Sequence, residues 1–379
     1  MTIPGTSARS AAALRIESLR LADFRSYARL DWQPGGKIIA LAGPNGAGKT
    51  NLLEAVSLLA PGRGLRGARL AELARHAPGA AGGWAIAARL EGKEGGGAIG
   101  TGIEAGQGDR RRLLLDGEPV PASRIAARFS CLWLTPQMDR LFTEGASSRR
   151  RFLDRLVLAL EPGHASEVAA FESASANRNR LIEAGRYDPL WLATIEDSMA
   201  RHAAALTASR LYVIERLNAL LAAGTADPFP AARLSLDCPI GAELAHRPAL
   251  EVEDWLRARY AASRAEPVAA ISPQRADLGL AQAASGLVAA LASTGQQRAM
   301  LVSIVLAHVA LVASARGTAP VLLLDEPFVH LDAAHRMALG DALQRGEAQV
   351  FCTATERDQF AALGDAAIWT VGEGGLRRD

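Results

Sequence analysis

A short segment near the N-terminus limits the folds that are open to this chain. It has the form G-x-x-x-x-G-K-[ST], and it stands between an apolar run at 37–42 and a helix-like stretch at 51–59. In a strand-loop-helix unit of this kind, backbone N–H groups and the positive helix end bind one set of phosphates. The segment therefore predicts a nucleoside triphosphate site formed by Gly43, Pro44, Asn45, Gly46, Ala47, Gly48, Lys49 and Thr50.

Two side chains of this loop have distinct predicted roles. Lys49 reaches the outer phosphates, and the Thr50 hydroxyl binds a magnesium ion. The alternative is a glycine turn that only joins a strand to a helix. The loop by itself leaves open what the nucleotide is used for.

Composition indicates an ordinary globular protein. The 379 residues are 49% hydrophobic and 22% charged, which is enough for two or three cores, and a net charge of +2 argues for neither nucleic acid nor membrane. Cys131, Cys238 and Cys352 are too far apart to suggest a disulfide framework or a zinc site, so a reducing cytoplasm is expected. Residues 1–13 lack the apolar core of an export signal and are predicted to be a disordered tail, and no membrane span is expected.

The order of the patterns predicts two lobes. A hairpin at 14–30, a meander of runs at 84–90, 98–103 and 111–115, and a strand at 131–135 precede the helical stretches 148–160, 167–184 and 191–223. A looser segment at 227–248 and a helix at 251–266 follow, and strands alternate with helices again beyond 271. We therefore expect one α/β lobe from 14–135 and 299–379, with a mainly helical lobe, 136–298, inserted into it. No sustained heptads are present, which excludes a long coiled-coil arm.

A second motif supplies two carboxylates. Val321 to Leu324 is an apolar run that ends in Asp325 and Glu326, as expected for a buried parallel strand that delivers acidic groups to a ligand. This Walker B pattern predicts that Asp325 holds magnesium through water and that Glu326 polarises the attacking water as a general base. A buried strand with a polar cap is the alternative.

A third motif opens a predicted helix at 298–315. Ser293-Thr294-Gly295-Gln296-Gln297-Arg298 combines a serine, a glycine and backbone N–H groups at a helix start, which can form a second phosphate site. One chain cannot easily bring two such helix ends to the same γ-phosphate. We therefore predict a head-to-tail dimer in which Ser293, Gly295 and Gln296 contact ATP held by another copy. An ordinary N-capped helix is the alternative.

The order of these motifs resembles that of the ABC ATPases, and specifically their DNA-repair branch alongside the SMC-type proteins. More closely, the chain is similar to the RecF family, and the resemblance covers about residues 14–355. The supporting runs are Leu21 to Tyr27, Lys49 to Ala55, Arg149 to Asp154, Asn177 to Leu181, Ser272 to Leu278 and Ser293 to Arg298. The resemblance implies an ABC-type P-loop ATPase lobe with an antiparallel meander, plus an inserted helical lobe that ends in the signature motif.

The resemblance also implies roles for further residues. Asp332 belongs to a D-loop, Leu331-Asp332, that communicates across the dimer, so a metal site at His330, Asp332 and His335 is not expected. Gln137 is the candidate Q-loop residue, although the family commonly has an acid near that point. Either Thr353 or Thr355 takes the place of the switch histidine of transport subunits.

A further motif departs from the family pattern. The family usually reads G-P-H-R-D-D where this chain has Ser272 to Asp277, so the His and one Asp are missing.

Arginine clusters are candidates for contacts with DNA phosphates. One consists of Arg149, Arg150, Arg151 and Arg155, and the other of Arg110 to Arg112. Guanidinium groups in clusters can neutralise phosphates without reading the base sequence. A solvated or salt-bridged surface explains each cluster equally well.

The resemblance implies an activity in DNA metabolism. ATP and Mg²⁺ would close a homodimer on single-stranded DNA or gapped duplex, and weak hydrolysis assisted by Lys49 and Glu326 would release it. Gap repair and replication restart, with RecR-like and RecO-like mediators as partners, are the expected setting. Two alternatives are the ATP-binding subunit of a membrane transporter and a non-hydrolytic, ATP-gated DNA scaffold.

Overall fold

The computed structural model describes residues 12–77, 82–92, 95–106, 110–185, 187–265, 271–372 and 375–379. The chain divides into two compact units, which we call the first and second units. The first comprises residues 1–139, 224–230 and 294–379, and the second comprises residues 140–223 and 231–293. The second unit is therefore shorter than the predicted helical lobe at both ends, and it is interrupted at 224–230.

The strands follow one another along the chain, and the helices lie between them. The strands are β1 Ala12–Ala13, β2 Arg15–Phe24, β3 Tyr27–Trp32, β4 Ile38–Ala42, β5 Trp84–Glu91, β6 Gly97–Ile103, β7 Arg112–Leu115, β8 Glu118–Pro119, β9 Cys131–Leu134, β10 Ala232–Asp237, β11 Asp277–Gln282, β12 Thr318–Ala319, β13 Val321–Leu324, β14 Val350–Ala354, β15 Ala367–Gly372 and β16 Gly375–Arg378. The α-helices are α1 Lys49–Ser57, α2 Ala122–Arg128, α3 Ala146–Leu160, α4 His164–Glu183, α5 Pro189–Ala222, α6 Pro239–Leu244, α7 Ala249–Ala262, α8 Thr294–Arg316 and α9 Ala333–Arg345.

The first unit is built around a six-stranded, mainly parallel sheet. Its strand order is β16-β15-β4-β14-β13-β9, and only β16 runs antiparallel to its neighbour. Every residue of β4, β9, β13 and β14 is buried, which explains their uninterrupted apolar sequences. Because β4, β13 and β14 are parallel, their carboxyl ends meet at one edge of the sheet, where the predicted nucleotide-binding residues follow.

A second sheet of the first unit is antiparallel, in the order β3-β2-β5-β6-β7-β8. Buried and exposed residues alternate strictly along β5, as expected for a sheet with one face on a core. This sheet confirms both the predicted hairpin and the predicted meander. The N-terminal expectation needs a correction, because Ala12–Ala13 pairs with Thr318–Ala319 instead of belonging to a disordered tail. Residues 1–11 lie outside the described residues.

The second unit has a helical core completed by a two-stranded sheet. Its longest helix, α5, begins at Pro189, and the Asp188 carboxylate accepts a 2.8 Å hydrogen bond from the backbone N of Leu190. The helix packs along α4 and α7. Buried core residues from these helices include Phe171, Met199, Leu206 and Leu256.

Two sequence expectations about helices and loops require correction. The looser segment predicted at 227–248 contains β10 and α6, because β10 pairs with β11, whose sequence lies about forty residues further on. The helix predicted at 298–315 begins four residues earlier, at Thr294. This helix is long and apolar enough to cross a membrane, but 67% of its most apolar window is buried inside the protein, as in a core helix.

Candidate nucleotide-binding site

The predicted phosphate loop lies between β4 and α1, at the carboxyl edge of the parallel sheet. Gly48 directly precedes α1 and has a φ of 105°, a conformation that side-chain-bearing residues rarely adopt. A Cβ atom at this position would lie 2.7 Å from Tyr27 Oη, and Tyr27 Oη itself donates a hydrogen bond of 3.2 Å to the Gly48 carbonyl. Only glycine therefore fits at the point where the loop turns into the helix.

Lys49 is held inside the loop. Its side chain is buried, and Nζ donates hydrogen bonds of 2.6 Å to the Gly43 carbonyl and 2.9 Å to the Pro44 carbonyl. Burial lowers the pKa of Lys49, while the charges of Glu326 and Asp325 act in the opposite direction. The ammonium group thus lies close to two carboxylates and to the backbone that would surround a phosphate.

A hydroxyl on each side fixes the Asp325 carboxylate. Thr50 Oγ1 donates to Oδ1 at 3.1 Å and to Oδ2 at 3.2 Å, and Thr353 Oγ1 donates to Oδ1 at 2.6 Å. Thr353 lies on β14 and is fully buried. The structure therefore brings together the two predicted magnesium ligands, Thr50 and Asp325, and places Thr353 beside them.

Glu326 follows Asp325 in an unusual backbone conformation. Its φ is 49°, in the left-handed region that costs free energy for a residue with a side chain. Its backbone N donates a 3.0 Å hydrogen bond to Thr353 Oγ1, and its carbonyl accepts a 3.1 Å bond from Arg298 Nη2. The turn that presents the Glu326 carboxylate is thus held by two neighbouring elements.

Arg298 links the signature helix to this turn. It is fully buried, and besides the Glu326 carbonyl it contacts the Thr135 carbonyl at 3.1 Å and Asp139 Oδ1 at 2.9 Å. Arg298 is the last residue of the signature motif, but no sequence pattern indicates that it connects α8 with the turn at Glu326. Asp139 is an acid near the predicted Q-loop residue Gln137, which is itself exposed.

The other predicted contacts lie on the surface or near it. Ser293 and Gln296 are exposed. Gly295, in the first turn of α8, approaches the backbone beyond β13, because a Cβ atom there would lie 3.3 Å from the His330 carbonyl. Asp332 caps α9, accepting hydrogen bonds from the backbone N of His335 at 2.8 Å and from its Nδ1 at 2.9 Å. These bonds lower the pKa of Asp332.

The run Leu21 to Tyr27 supports α1. Arg25 makes two hydrogen bonds to the fully buried Glu54 carboxylate, at 2.8 and 2.9 Å, and Arg66 makes a third at 3.1 Å. Asn51 accepts from Arg66 at 2.8 Å and donates to Ser26 Oγ at 2.9 Å. The face of α1 next to the phosphate loop is therefore fixed by charged and polar side chains. In the sequence, Arg25 and Ser26 stood out only as part of a run that supports the family resemblance.

Each arginine cluster contains side chains that are engaged inside the protein and others that are exposed. Arg111 donates to the carbonyls of Leu58, Ala60 and Gly62, and burial lowers its pKa to about 10. Its guanidinium is therefore engaged by the backbone of the first unit. In the second unit, Arg149 forms a bidentate pair with Asp277, whereas Arg151 is exposed.

Comparison with known proteins agrees with this geometry. The model of the RecF/RecN/SMC N terminal domain matches residues 15–373. A DNA replication and repair protein RecF from Rhizobium etli is 45% identical over 367 residues, which cover 95% of this chain and 97% of the relative.

Solved structures reveal the same fold. The recombination mediator protein RecF with ATP has a TM-score of 0.83 at 19% identity and covers 99% of this chain and 100% of its own. The Smc head domain of Pyrococcus furiosus, with an extended coiled coil, has a TM-score of 0.53 at 16% identity and covers 97% of this chain and 96% of its own. On the family match and the 45% identity to a RecF protein, this chain belongs to the RecF family.

Proposed function

We propose that this protein is an ATP-dependent DNA-binding ATPase of recombinational gap repair and replication restart, which acts as a homodimer in the cytoplasm. The single observation that carries the proposal is the connection from the phosphate loop to both acidic residues. Thr50 and Thr353 bond Asp325, and Thr353 also accepts from the Glu326 backbone. Loop and acids are therefore arranged as one site, in a chain whose family membership is established by its relatives.

ATP is the proposed nucleotide, bound by Gly43 to Thr50. The Lys49 ammonium would exchange its two loop carbonyls for phosphate oxygens, which are stronger acceptors because they are charged. The Thr50 hydroxyl and the Asp325 carboxylate are hard oxygen donors of the type that Mg²⁺ prefers, and they lie within 3.2 Å of each other. When bound there with ATP, Mg²⁺ would neutralise charge that develops on the phosphates.

Glu326 is the proposed general base. Arg298 and Thr353 hold the backbone of this residue on both sides, so that the carboxylate is presented from a fixed turn. A base held in position accelerates proton transfer from an attacking water. Hydrolysis in one site would then remove the phosphate that joins the two copies.

The dimer is proposed from the signature residues. Ser293 and Gln296 are exposed and Gly295 stands in the first turn of a long helix, which suits a phosphate of ATP held by another copy. Gln137 and Asp332 would contribute to the same composite site. Single-stranded DNA or gapped duplex, and mediators similar to RecR and RecO, are the proposed partners on the basis of the RecF relatives.

Sedimentation of wild type and Glu326→Gln tests the proposal directly. Each protein is measured without nucleotide, with ATP and Mg²⁺, and with ATP, Mg²⁺ and gapped duplex DNA. We expect the wild type to form a transient ATP-dependent dimer and Glu326→Gln to accumulate as a stable dimer that retains DNA. Glu356→Gln, an exposed change of the same charge in the same unit, serves as the matched control.

The outcomes separate the alternatives. The proposal is contradicted if the protein stays monomeric with ATP and does not bind the gapped duplex DNA. A Glu326→Gln variant that restores repair fully in a deficient cell would favour the non-hydrolytic scaffold. The transporter subunit is already disfavoured, because the chain belongs to the RecF family across almost its whole length.

A further inference from the structure

The second unit contains a cavity of about 570 Å³ that has no part in the nucleotide site. It opens between α3, α4, α5 and the short 3₁₀ helix Pro273–Arg275. Its volume lies within the range of pockets that hold small organic ligands, and it is much larger than a single inorganic ion requires. A ligand with an organic part would therefore fit into it.

The walls of this cavity are of two kinds. Four guanidinium groups contribute to it, from Arg150, Arg151, Arg210 and Arg275, against two carboxylates, from Asp154 and Glu172. Val168, Phe171 and Leu206 form an apolar part of the lining, in which Val168 is partly exposed while Phe171 and Leu206 are buried behind it. A ligand that matches both parts carries negative charge at one end and an apolar or aromatic group at the other.

Some of the arginines are held in place by the protein. Arg210 is 4% exposed and donates to Asp154 Oδ1 at 2.8 Å, to Asp154 Oδ2 at 2.9 Å and to the Pro273 carbonyl at 2.6 Å. Arg150 Nη1 donates to the Ala276 carbonyl at 2.9 Å. These contacts fix two cations at the wall before any ligand binds, which lowers the entropy cost of binding.

Other arginines of the cavity keep donor groups free for a ligand. The Arg275 side chain is exposed and has no hydrogen-bond or ion-pair partner within the part of the chain that the structure describes. Arg151 is exposed too, and its described contact is a 3.0 Å bond to Ser148 Oγ. Burial and the positive charges of Arg210 and Arg151 lower the pKa of Arg150, while the carboxylates of Asp277 and Asp154 act in the opposite direction. A bound anion would relieve this repulsion.

We propose that this cavity is a second phosphate site, which binds one nucleoside monophosphate, with the phosphate on Arg150, Arg151 and Arg275 and the nucleoside against the apolar part of the lining at Val168. Guanidinium forks match phosphate oxygens in a bidentate geometry, and a ring can stack or pack on an apolar wall. The monophosphate is either a free nucleotide or the terminal nucleotide of a strand. The site is separate from the phosphate loop, so its failure would leave the proposed ATP-dependent dimer untouched.

Fluorescence anisotropy of the full chain tests the proposal, with ADP present in excess to occupy the phosphate loop. The probes are three versions of one short oligothymidylate: with a 5′-phosphate, with a 3′-phosphate and with no terminal phosphate. Free thymidine monophosphate and thymidine are added as competitors. The variants are Arg275→Gln and Arg151→Gln, and Arg180→Gln on the exposed face of α4 is the matched control.

Three outcomes are decisive. A strand end is the ligand if a phosphorylated probe binds about tenfold or more tightly than the unphosphorylated one, and if Arg275→Gln removes that difference while Arg180→Gln keeps it. A free nucleotide is the ligand if thymidine monophosphate, but not thymidine, binds the wild type and the same variants weaken it. The proposal is overturned if terminal phosphates make no difference and the monophosphate does not bind, or if Arg180→Gln loses as much affinity as Arg275→Gln. Unfolding midpoints of all variants verify that each protein is folded.

Discussion

Thr353 Oγ1 donates a 2.6 Å hydrogen bond to Asp325 Oδ1 and accepts one of 3.0 Å from the backbone N of Glu326. One buried hydroxyl on β14 therefore contacts both acidic residues that follow β13. Parallel pairing of Leu324 with Cys352 brings the ends of these two strands side by side. Thr355, the other candidate, is partly exposed and lies beyond the end of the strand. The geometry thus favours Thr353 at the switch position.

Replacement of Thr353 by valine tests this position. Valine has nearly the same shape but neither donates nor accepts, so Asp325 and the Glu326 backbone each lose a partner. We expect ATP turnover to fall about tenfold or more, while ATP affinity changes little because the phosphate loop is intact. Steady-state hydrolysis and equilibrium binding of ATP measure the two effects. Thr355→Val is the control, and an equal loss of turnover in that variant would contradict the assignment.

Arg298 offers a prediction about stability. Its guanidinium is fully buried and pairs with Asp139 at 2.9 Å, so truncation removes one partner from the Asp139 carboxylate and one from each of the carbonyls of Thr135 and Glu326. Arg298→Ala is expected to reduce the free energy of unfolding by about 3–5 kcal/mol. Urea unfolding measures the change, and the exposed Arg345→Ala on α9 is the control.

A double-mutant cycle with Asp139→Asn isolates the Arg298 pair from other effects of truncation. If the carboxylate and the guanidinium stabilise each other, the two single changes together cost less than their sum. If the losses of unfolding free energy from Arg298→Ala and Asp139→Asn are additive, Arg298 acts through the backbone carbonyls of Thr135 and Glu326.

Sequence patterns predicted the parallel sheet, the meander and most of the helices, because these elements have strong local signals. The runs that end at Ala42 and Asp325 each carry their own periodicity and their own chemical motif. Contacts between distant parts of the chain have no local signal. Arg298 and Asp139 are 159 residues apart, and Arg25 and Glu54 are 29 apart. The pairing of β10 with β11 was not predicted for the same reason.

The ion pair of Arg149 with Asp277 should make the stability of the fold depend on pH in the acidic range. Hydrogen bonds from Arg149 lower the pKa of Asp277, and partial burial opposes this effect. Because the folded pKa lies below the unfolded value of about 3.9, the pair stabilises the fold above that pH. This contribution is lost as the pH falls through the folded pKa.

Asp277→Asn should therefore be less stable than wild type at neutral pH, and the difference should shrink below about pH 4. Urea unfolding midpoints at neutral and acidic pH measure this trend. Asp341→Asn, at an exposed site on α9, serves as the control. A difference between Asp277→Asn and wild type that stays constant with pH would show that the carboxylate charge is not what stabilises this contact.

Glu54 provides a prediction about how the phosphate loop is oriented. Its carboxylate is fully buried in α1 and is shared by Arg25 and Arg66. Glutamine at this position has the same shape, but it carries no charge and has one acceptor oxygen instead of two, so at least one guanidinium donor loses its partner. We expect Glu54→Gln to reduce the free energy of unfolding by about 1–3 kcal/mol.

The same variant should weaken ATP binding, because α1 begins at Lys49 and carries Thr50. Glu72→Gln, an exposed change of the same type, is the control for both measurements. A second variant, Arg66→Gln, removes one cation but leaves the bidentate bond of Arg25 to Glu54 in place. If Arg25 is the side chain that orients the helix, Arg66→Gln keeps ATP affinity close to that of wild type while Arg25→Gln loses it. If Arg66→Gln and Arg25→Gln reduce ATP affinity equally, the total positive charge around Glu54 sets the position of the loop.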